Sequence, residues 1–192
     1  DLCGPVPPDP VTVAARLQHD PDAPLATALL DQRNVAGFGN VYAVELPFVV
    51  GVSPNQPVGT IDGLEGLLAI GTPMIRQHAA KGPRNTTGRR LGTADHFVYG
   101  RQSCPVCATP LQHWNDRDSP WGRVASWCPD CQRVTQRRTV DLVRARRLLA
   151  RQYRALRIRG RRFQLLGRRR PCADYHLPRR RNRRARARGN RH

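Results

Sequence analysis

The sequence has no apolar run of roughly 18 residues, the length at which a membrane-spanning helix becomes a candidate. Its N-terminus also lacks the basic and apolar regions of a secretory signal peptide. Both absences argue against a membrane or secreted protein, so we expect a soluble, intracellular chain. The length of 192 residues allows one ordinary domain with a small appended module.

Acidic residues are nearly missing from the last third of the chain. Residues 133–192 contain 23 arginines and 2 acidic residues, whereas residues 1–132 contain 10 basic and 12 acidic residues. The formal net charge of +19 therefore comes from this Arg-rich tail. Arginines neutralise phosphates and release their counterions, so the composition indicates a nucleic-acid partner for the tail alone.

The cysteines do not have the spacing of a disulfide framework. Cys3 and Cys172 stand far from the others, and we expect no role for them. The other four form two C-x2-C pairs separated by 20 residues, Cys104, Cys107, Cys128 and Cys131. Four thiolates at this spacing suit one tetrahedral Zn²⁺ ion. Because four protein ligands leave no open position for water, the predicted zinc is structural and has no catalytic role.

Four helices are predicted before the cysteines. Asp9-Pro10 signals the start of the first, and a second follows Pro24. A third begins near Asn40 and is kinked or ended at Pro47. A fourth covers about residues 62–78, although it contains residues that disfavour helices, Gly66, Gly71 and Pro73.

A zinc ribbon is predicted over residues 97–132. It begins with a strand-like run at residues 97–100, and residues 109–114 and 123–127 then form the two strands of a hairpin, with residues 115–122 as its turn. Farther on, one face of an amphipathic helix is marked by Leu142, Ala145, Leu149 and Tyr153. From residue 157 onward the chain offers no core, and we expect disorder in isolation.

Residues 29–43, LLDQRNVAGFGNVYA, place two glycines directly before a helix start. Gly37 and Gly39 allow backbone amides to approach a phosphate closely, and the helix N-terminus adds the positive end of its dipole. Asn40 can cap the helix or donate a hydrogen bond. A packing turn between two helices would use the same residues, so the turn alone leaves both interpretations open.

The segment 29–43, the lead-in FVYGR at residues 97–101 and the cysteine hairpin, in this order and spacing, resemble the C-terminal half of the Fpg/Nei DNA glycosylases. The resemblance covers about residues 1–132. The short linker at residues 86–96 resembles the Nei-like branch, particularly its actinobacterial members. The resemblance implies a mainly α helix-two-turn-helix DNA-binding domain over residues 1–96 and a zinc-ribbon β-hairpin over residues 97–132. From composition, we expect an Arg-rich tail, partly helical or disordered, over residues 133–192.

The resemblance implies base excision repair in the bacterial cytoplasm, at the nucleoid. The complete family enzyme flips a damaged base from the duplex, removes it and cleaves the strand at the abasic site. The implied partner is double-stranded DNA, preferentially damaged or abasic, bound by a monomer, and oxidised pyrimidines are the implied lesions. The implied phosphate contacts come from Gly39, Asn40, Arg123 and Arg33. For both arginines, a solvated surface charge is the alternative.

The resemblance also places the chemistry outside this chain. In the family, an N-terminal proline acts as the nucleophile and a glutamate follows it, both in a β-rich domain. This chain begins Asp1-Leu2-Cys3, at the boundary after that domain, so we expect the catalytic domain to be absent and assign no catalytic residue. A fragment, a natural truncation and a decayed gene product are the three alternatives.

The Arg-rich tail has two interpretations, a genuine basic extension or the product of a shifted reading frame. If it is genuine, it raises affinity through nonspecific phosphate contacts. This interpretation gives the alternative function, a noncatalytic zinc-ribbon module that binds nucleic acid through its basic tail.

Overall fold

The structure is a computed structural model that describes residues 1–81, 84–89, 94–114 and 122–158. The described residues form five α-helices, four short β-strands and one 3-10 turn. The helices are α1 (Pro10–Leu17), α2 (Leu25–Leu30), α3 (Asn40–Val49), α4 (Leu64–Lys81) and α5 (Leu142–Ile158). The strands are β1 (Ile61–Asp62), β2 (Gln112–Trp114), β3 (Ala125–Trp127) and β4 (Arg138–Thr139), and a 3-10 turn covers Val58–Thr60.

The strands form two small sheets. In the antiparallel pair β2 and β3, Gln112 lies opposite Trp127 and Trp114 lies opposite Ala125. In the parallel pair β1 and β4, Ile61 lies opposite Arg138. The first pair is the predicted hairpin between the cysteine pairs, with shorter strands than expected. The second pair joins the helical part of the chain to residues that follow the last cysteine pair.

The helix starts agree with the local signals in the sequence. Asp9 caps α1 by accepting a 3.0 Å hydrogen bond from the amide of Thr12, and Pro10 occupies the first helical position. The buried residues of α1 are Val13, Ala14 and Leu17, at helical spacing. The second and third helices also begin where they are predicted, directly after Pro24 and at Asn40.

Helix α3 is the centre of the hydrophobic core. All nine residues from 41 to 49 are buried, because α2, α4, α5 and the hairpin pack around this helix. The prediction that Pro47 ends the helix is wrong, since α3 continues to Val49, whereas the alternative of a kink at Pro47 stays a prediction. Pro47 has no amide hydrogen, so the carbonyl of Ala43 lacks its usual helical donor.

Helix α4 confirms the fourth predicted helix and extends it to Lys81. A Cβ atom at Gly71 would lie 2.7 Å from both Leu46 Cδ1 and Phe38 Cζ, so glycine permits the close approach of α4 to the core. A Cβ atom at Gly66 would lie 3.1 Å from Leu142 Cδ2 in α5. The glycines that weaken α4 as an isolated helix therefore allow it to pack against its neighbours.

Helix α5 includes the predicted amphipathic segment and packs against α3. Val140, Ala145 and Leu149 are buried in the same core as the first four helices. The predicted disorder after residue 157 falls almost entirely on residues 159–192, outside the described residues. Within the described part of the chain, each helix is too short or too polar to cross a lipid bilayer.

Candidate metal centre and nucleic-acid interface

The two cysteine pairs come together in space. The Sγ atom of Cys107 lies 3.5 Å from that of Cys128 and 3.6 Å from that of Cys131, and all four sulfur atoms lie within 4.8 Å of one another. Metal–sulfur bonds of about 2.3 Å in a tetrahedron would place the sulfurs about 3.8 Å apart. The donor set and its geometry therefore fit one metal ion held by four thiolates.

Tight backbone turns hold each cysteine pair. The amide of Val106 donates to Cys104 Sγ at 3.4 Å, and the amide of Cys131 donates to Cys128 Sγ at 3.3 Å. Ala108 has φ of +62°, and its amide donates to the Cys104 carbonyl at 3.0 Å. Amides that point at sulfur favour the thiolate form, which is the form that binds metal.

The thiols of the cluster do not ionise equally. Hydrogen bonds with Thr109 lower the pKa of Cys107 to about 6. Burial, together with the hydrogen bond to Cys107, raises the pKa of Cys131 to about 12. Burial likewise raises the pKa of Cys128. Four thiolates therefore do not form together without a cation, and a bound divalent ion would supply the charge that stabilises all four.

Asn40 connects the glycine turn to the cysteine hairpin. Its Nδ2 donates a 2.7 Å hydrogen bond to the carbonyl of Val124, and the side-chain Oδ1 is buried without a hydrogen-bond partner among the described residues. This contact joins positions 84 residues apart in the sequence. It places the predicted site residue Asn40 beside the residue that follows Arg123, another predicted site residue.

The N-terminus of α3 is open at Gly39. This glycine is exposed, and a Cβ atom there would meet no heavy atom within 4 Å. The Gly39 carbonyl accepts from the amides of Tyr42 and Ala43, so the amides of Asn40 and Val41 are those without a partner in the helical pattern. The turn has the geometry of an anion-binding helix start.

The two predicted arginines differ in their surroundings. Arg123 is exposed and lies two residues before β3, in the connection leading into the strand and not within the strand as predicted. The Arg33 side chain is 90% exposed, but its guanidinium is paired with Asp31 at 2.7 Å. This pair lowers the pKa of Asp31 to about 2 and raises the pKa of Arg33. Asn40 contacts the backbone of Val124, the residue after Arg123, whereas Arg33 contacts Asp31.

Glu45 is a buried carboxylate in α3 that no sequence motif identifies. It accepts hydrogen bonds from the amides of Phe97, Val98 and Tyr99 at 2.7, 2.8 and 2.9 Å, and from the Thr86 hydroxyl. The predicted strand at residues 97–100 is wrong for this reason. Three successive amides converge on one carboxylate, whereas successive amides of a strand point in alternating directions.

His78 belongs to no sequence motif, and the structure places it in a buried hydrogen-bonded chain. The Tyr42 hydroxyl lies 2.8 Å from His78 Nδ1, and Nε2 lies 3.0 Å from the carbonyl of Asn85. Since a carbonyl only accepts, Nε2 carries the proton and Nδ1 accepts from the tyrosine. Burial lowers the pKa of His78 from its ordinary value of 6.5.

This lowered pKa predicts acid sensitivity. The folded state binds fewer protons at His78 than the unfolded state, so the stabilisation is present above about pH 6.5 and is lost as the pH falls through the folded-state pKa. Urea unfolding at pH 7.5 and 5.5 should show a smaller loss of stability in His78→Gln than in the wild type. The exposed His19→Gln is the matched control. Equal losses in all three proteins would contradict the prediction.

The fold is that of Fpg/MutM proteins. The MutM (Fpg) protein of Thermus thermophilus matches with a TM-score of 0.51 and 26% identity, over 67% of this chain and 54% of that one. A structure of MutM in complex with carbocyclic 8-oxo-G containing DNA matches with a TM-score of 0.52 and 26% identity, over 65% of this chain and 47% of that one. No protein-family model matches the chain.

The curated relatives give the same class. DNA-(apurinic or apyrimidinic site) lyase Nei2 of Mycolicibacterium smegmatis is 42% identical over 126 residues, 65% of this chain and 48% of that protein. The chain is thus homologous to Nei2/endonuclease 8-like and Fpg proteins, which confirms the resemblance in the sequence. It spans about half the length of the curated relatives it matches.

Proposed function

We propose that this chain binds damaged or abasic duplex DNA as the C-terminal, DNA-binding part of an Nei2-like DNA glycosylase/AP lyase. Base removal and strand cleavage belong, in this proposal, to the complete enzyme. The observation that carries it is the hydrogen bond from Asn40 to the Val124 carbonyl, because it joins the glycine turn and the cysteine hairpin into one surface. The similarity to a MutM–DNA complex supports DNA as the partner.

The glycine turn is the first half of this surface. In the proposal, α2, the turn and α3 form a helix-two-turn-helix element that binds the phosphates flanking the lesion. The open N-terminus of α3 at Gly39 supplies backbone amides, and the second Nδ2 hydrogen of Asn40 remains available to donate.

The cysteine hairpin is the second half. One structural Zn²⁺ ion held by Cys104, Cys107, Cys128 and Cys131 would fix the hairpin, and Arg123 would extend from it to the phosphates at the lesion. Arg123 is exposed and lies next to the Asn40 contact, which suits this role. We propose a weaker contribution for Arg33, because its pairing with Asp31 competes with a phosphate.

Replacement of Arg123 or Asn40 by alanine tests the proposal. Each variant should bind an abasic-site duplex about tenfold to a hundredfold more weakly, since each removes a hydrogen bond to a charged phosphate. Fluorescence anisotropy on abasic and intact duplexes measures the effect. Arg16→Ala is the control, because Arg16 is an exposed arginine on α1, away from the turn and the hairpin.

The outcomes separate two functions. Preference for the abasic duplex that is lost in Arg123→Ala and Asn40→Ala, but kept in Arg16→Ala, supports the repair function. Equal binding of both duplexes that neither site variant weakens would overturn it. That result would favour the alternative, a noncatalytic zinc-ribbon module that binds through the Arg-rich tail.

A further inference from the structure

The segment that follows the cysteine hairpin is built into the helical body. We call residues 132–149 the brace. The amide of Val140 donates to the Asp62 carbonyl at 2.9 Å, and that of Asp141 donates to the Val50 carbonyl at 3.0 Å. Ala145 and Leu149 are buried in the common core. The brace therefore continues the fold past the last cysteine.

Gln132 is the first residue of the brace and it is 1% exposed. Its Oε1 accepts from the amide of Cys128 at 2.9 Å, and its Nε2 donates to the carbonyl of Val52 at 2.8 Å. One side-chain amide thus connects the second cysteine pair to the segment that follows α3. Both polar groups of this side chain are used, as a buried amide requires.

Gln56 makes a similar connection between the helical body and the brace. Its Nε2 donates to the carbonyl of Thr135 at 2.7 Å, and its Oε1 accepts from the amide of Thr135 at 3.0 Å. Gln56 is fully buried. A second glutamine amide therefore holds the brace to the helical body shortly after Gln132.

Three arginines of the brace make hydrogen bonds to other residues of the protein. Arg137 makes two hydrogen bonds to Asp62, at 2.8 and 2.7 Å. Arg138 Nε donates to the carbonyl of Gly51 at 3.0 Å. Arg144 Nε donates to the carbonyl of Phe48 at 3.2 Å, and its guanidinium lies 4.9 Å from the Phe48 ring centre.

These contacts assign a structural role to the three arginines. From composition alone, the same arginines would be interpreted as phosphate-binding residues. The helical body supplies the groups that the brace contacts. The Asp62 carboxylate pairs with Arg137, and the Leu142 side chain packs close to the backbone of Gly66. Such complementarity supports a genuine extension over a shifted reading frame for residues 132–149. Composition does not distinguish one part of the Arg-rich tail from another. In the structure, residues 133–149 of this tail belong to the fold.

The hairpin is held at both ends by side-chain amides. Asn40 holds it at Val124, next to Arg123, and Gln132 holds it at Cys128. We propose that Gln132 is a positioning residue for Arg123: it docks the second cysteine pair on the body, so that the hairpin presents Arg123 beside Asn40. The effect on DNA binding rests on the proposed function, whereas the docking itself does not.

Replacement of Gln132 by methionine tests this proposal, because methionine keeps the side-chain length and removes both polar contacts. Hydrogen exchange should become faster at the amides of residues 125–128, while the zinc content stays at one ion per chain. Affinity for the abasic duplex should fall by roughly tenfold, as in Arg123→Ala, and the Gln132→Met/Arg123→Ala double variant should bind no more weakly than Arg123→Ala. Exposed Gln136→Ala is the control and should match the wild type.

A second variant keeps the test decisive if Gln132→Met does not fold. Gln132→Glu retains the acceptor for Cys128 but turns an oxygen toward the Val52 carbonyl, so its hairpin exchange should also be faster than that of the wild type. Unchanged hairpin exchange in both glutamine variants would overturn the proposal, as would additive losses in the double variant. If the wild type does not prefer abasic DNA, the proposed function fails, and the exchange rates still decide whether Gln132 docks the hairpin.

Discussion

Replacement of Glu45 by alanine is expected to lower the free energy of unfolding by at least about 4 kcal/mol, which would unfold a marginally stable domain. The carboxylate is fully buried and accepts from three successive amides at residues 97–99 and from the Thr86 hydroxyl. Phe97 and Val98 are also buried, so the amides that lose this acceptor are shielded from bulk water. Each unsatisfied buried donor costs about 1–3 kcal/mol.

Thermal and urea unfolding of the full chain measure this effect. Glu65→Ala is the matched control, because Glu65 is an exposed glutamate in the first turn of α4. Its stability should stay within about 0.5 kcal/mol of the wild type. Glu45→Gln should be intermediate, since the amide keeps one acceptor oxygen and turns an NH2 group toward amide donors. A Glu45→Ala protein as stable as Glu65→Ala would contradict the structure of this contact.

The role of Glu45 shows what the sequence does not reveal. Its partners lie 41 to 54 residues away, and nothing in the local pattern identifies which backbone amides will converge on it. The four cysteines are different, because their chemistry and spacing are local. Two residues between the members of each pair suffice for a turn that places both sulfurs on one ion. The cluster of four cysteines was therefore predictable, whereas the anchor of the lead-in segment was not.

Glycines inside α4 show the same limit. Helix propensity counts Gly66 and Gly71 as weaknesses, but it contains no information on the neighbours of a helix. In the structure, Phe38 and Leu46 occupy the space beside Gly71, and Leu142 occupies that beside Gly66. A helix whose glycines face close neighbours is stabilised by packing that outweighs its propensity. The prediction of α4 is confirmed. The role of its glycines is visible only in the tertiary fold, which shows the side chains that pack against them.

Among the proposed DNA contacts, the sequence predicts the residues but not their connection. Asn40 and Arg123 come from two separate motifs. The hydrogen bond from Asn40 to Val124, the residue after Arg123, connects the two motifs, and it depends on how the hairpin docks on α3. Gln132 and Gln56, which connect the chain after the hairpin to the helical body, belong to no recognisable motif. Composition also assigns the brace arginines to phosphates, because composition does not distinguish a paired guanidinium from a free one.

Replacement of Cys128 by serine is expected to release the metal and unfold the hairpin. Cys128 is fully buried, and its sulfur lies 3.5 Å from that of Cys107, so its loss removes one of four ligands. Structural zinc contributes about 10–16 kcal/mol of apparent binding free energy in zinc-finger peptides at neutral pH. Packing within so short a hairpin cannot compensate for the loss of that free energy. Zinc content should fall from one ion per chain to below half, and binding to the abasic duplex should be lost.

Tryptophan fluorescence reports on this region alone, because all three tryptophans of the chain lie between Cys107 and Cys128. Trp114 and Trp127 form an edge-to-face pair with ring centres 5.0 Å apart, so unfolding of the hairpin exposes both rings and shifts their emission to longer wavelength. Treatment of the wild type with a chelator should give the same shift. Cys3→Ser is the control, since Cys3 lies outside the cluster, and it should keep one zinc ion. A Cys128→Ser protein that retains a full zinc ion and the wild-type emission would show that the four thiols do not act as one metal centre.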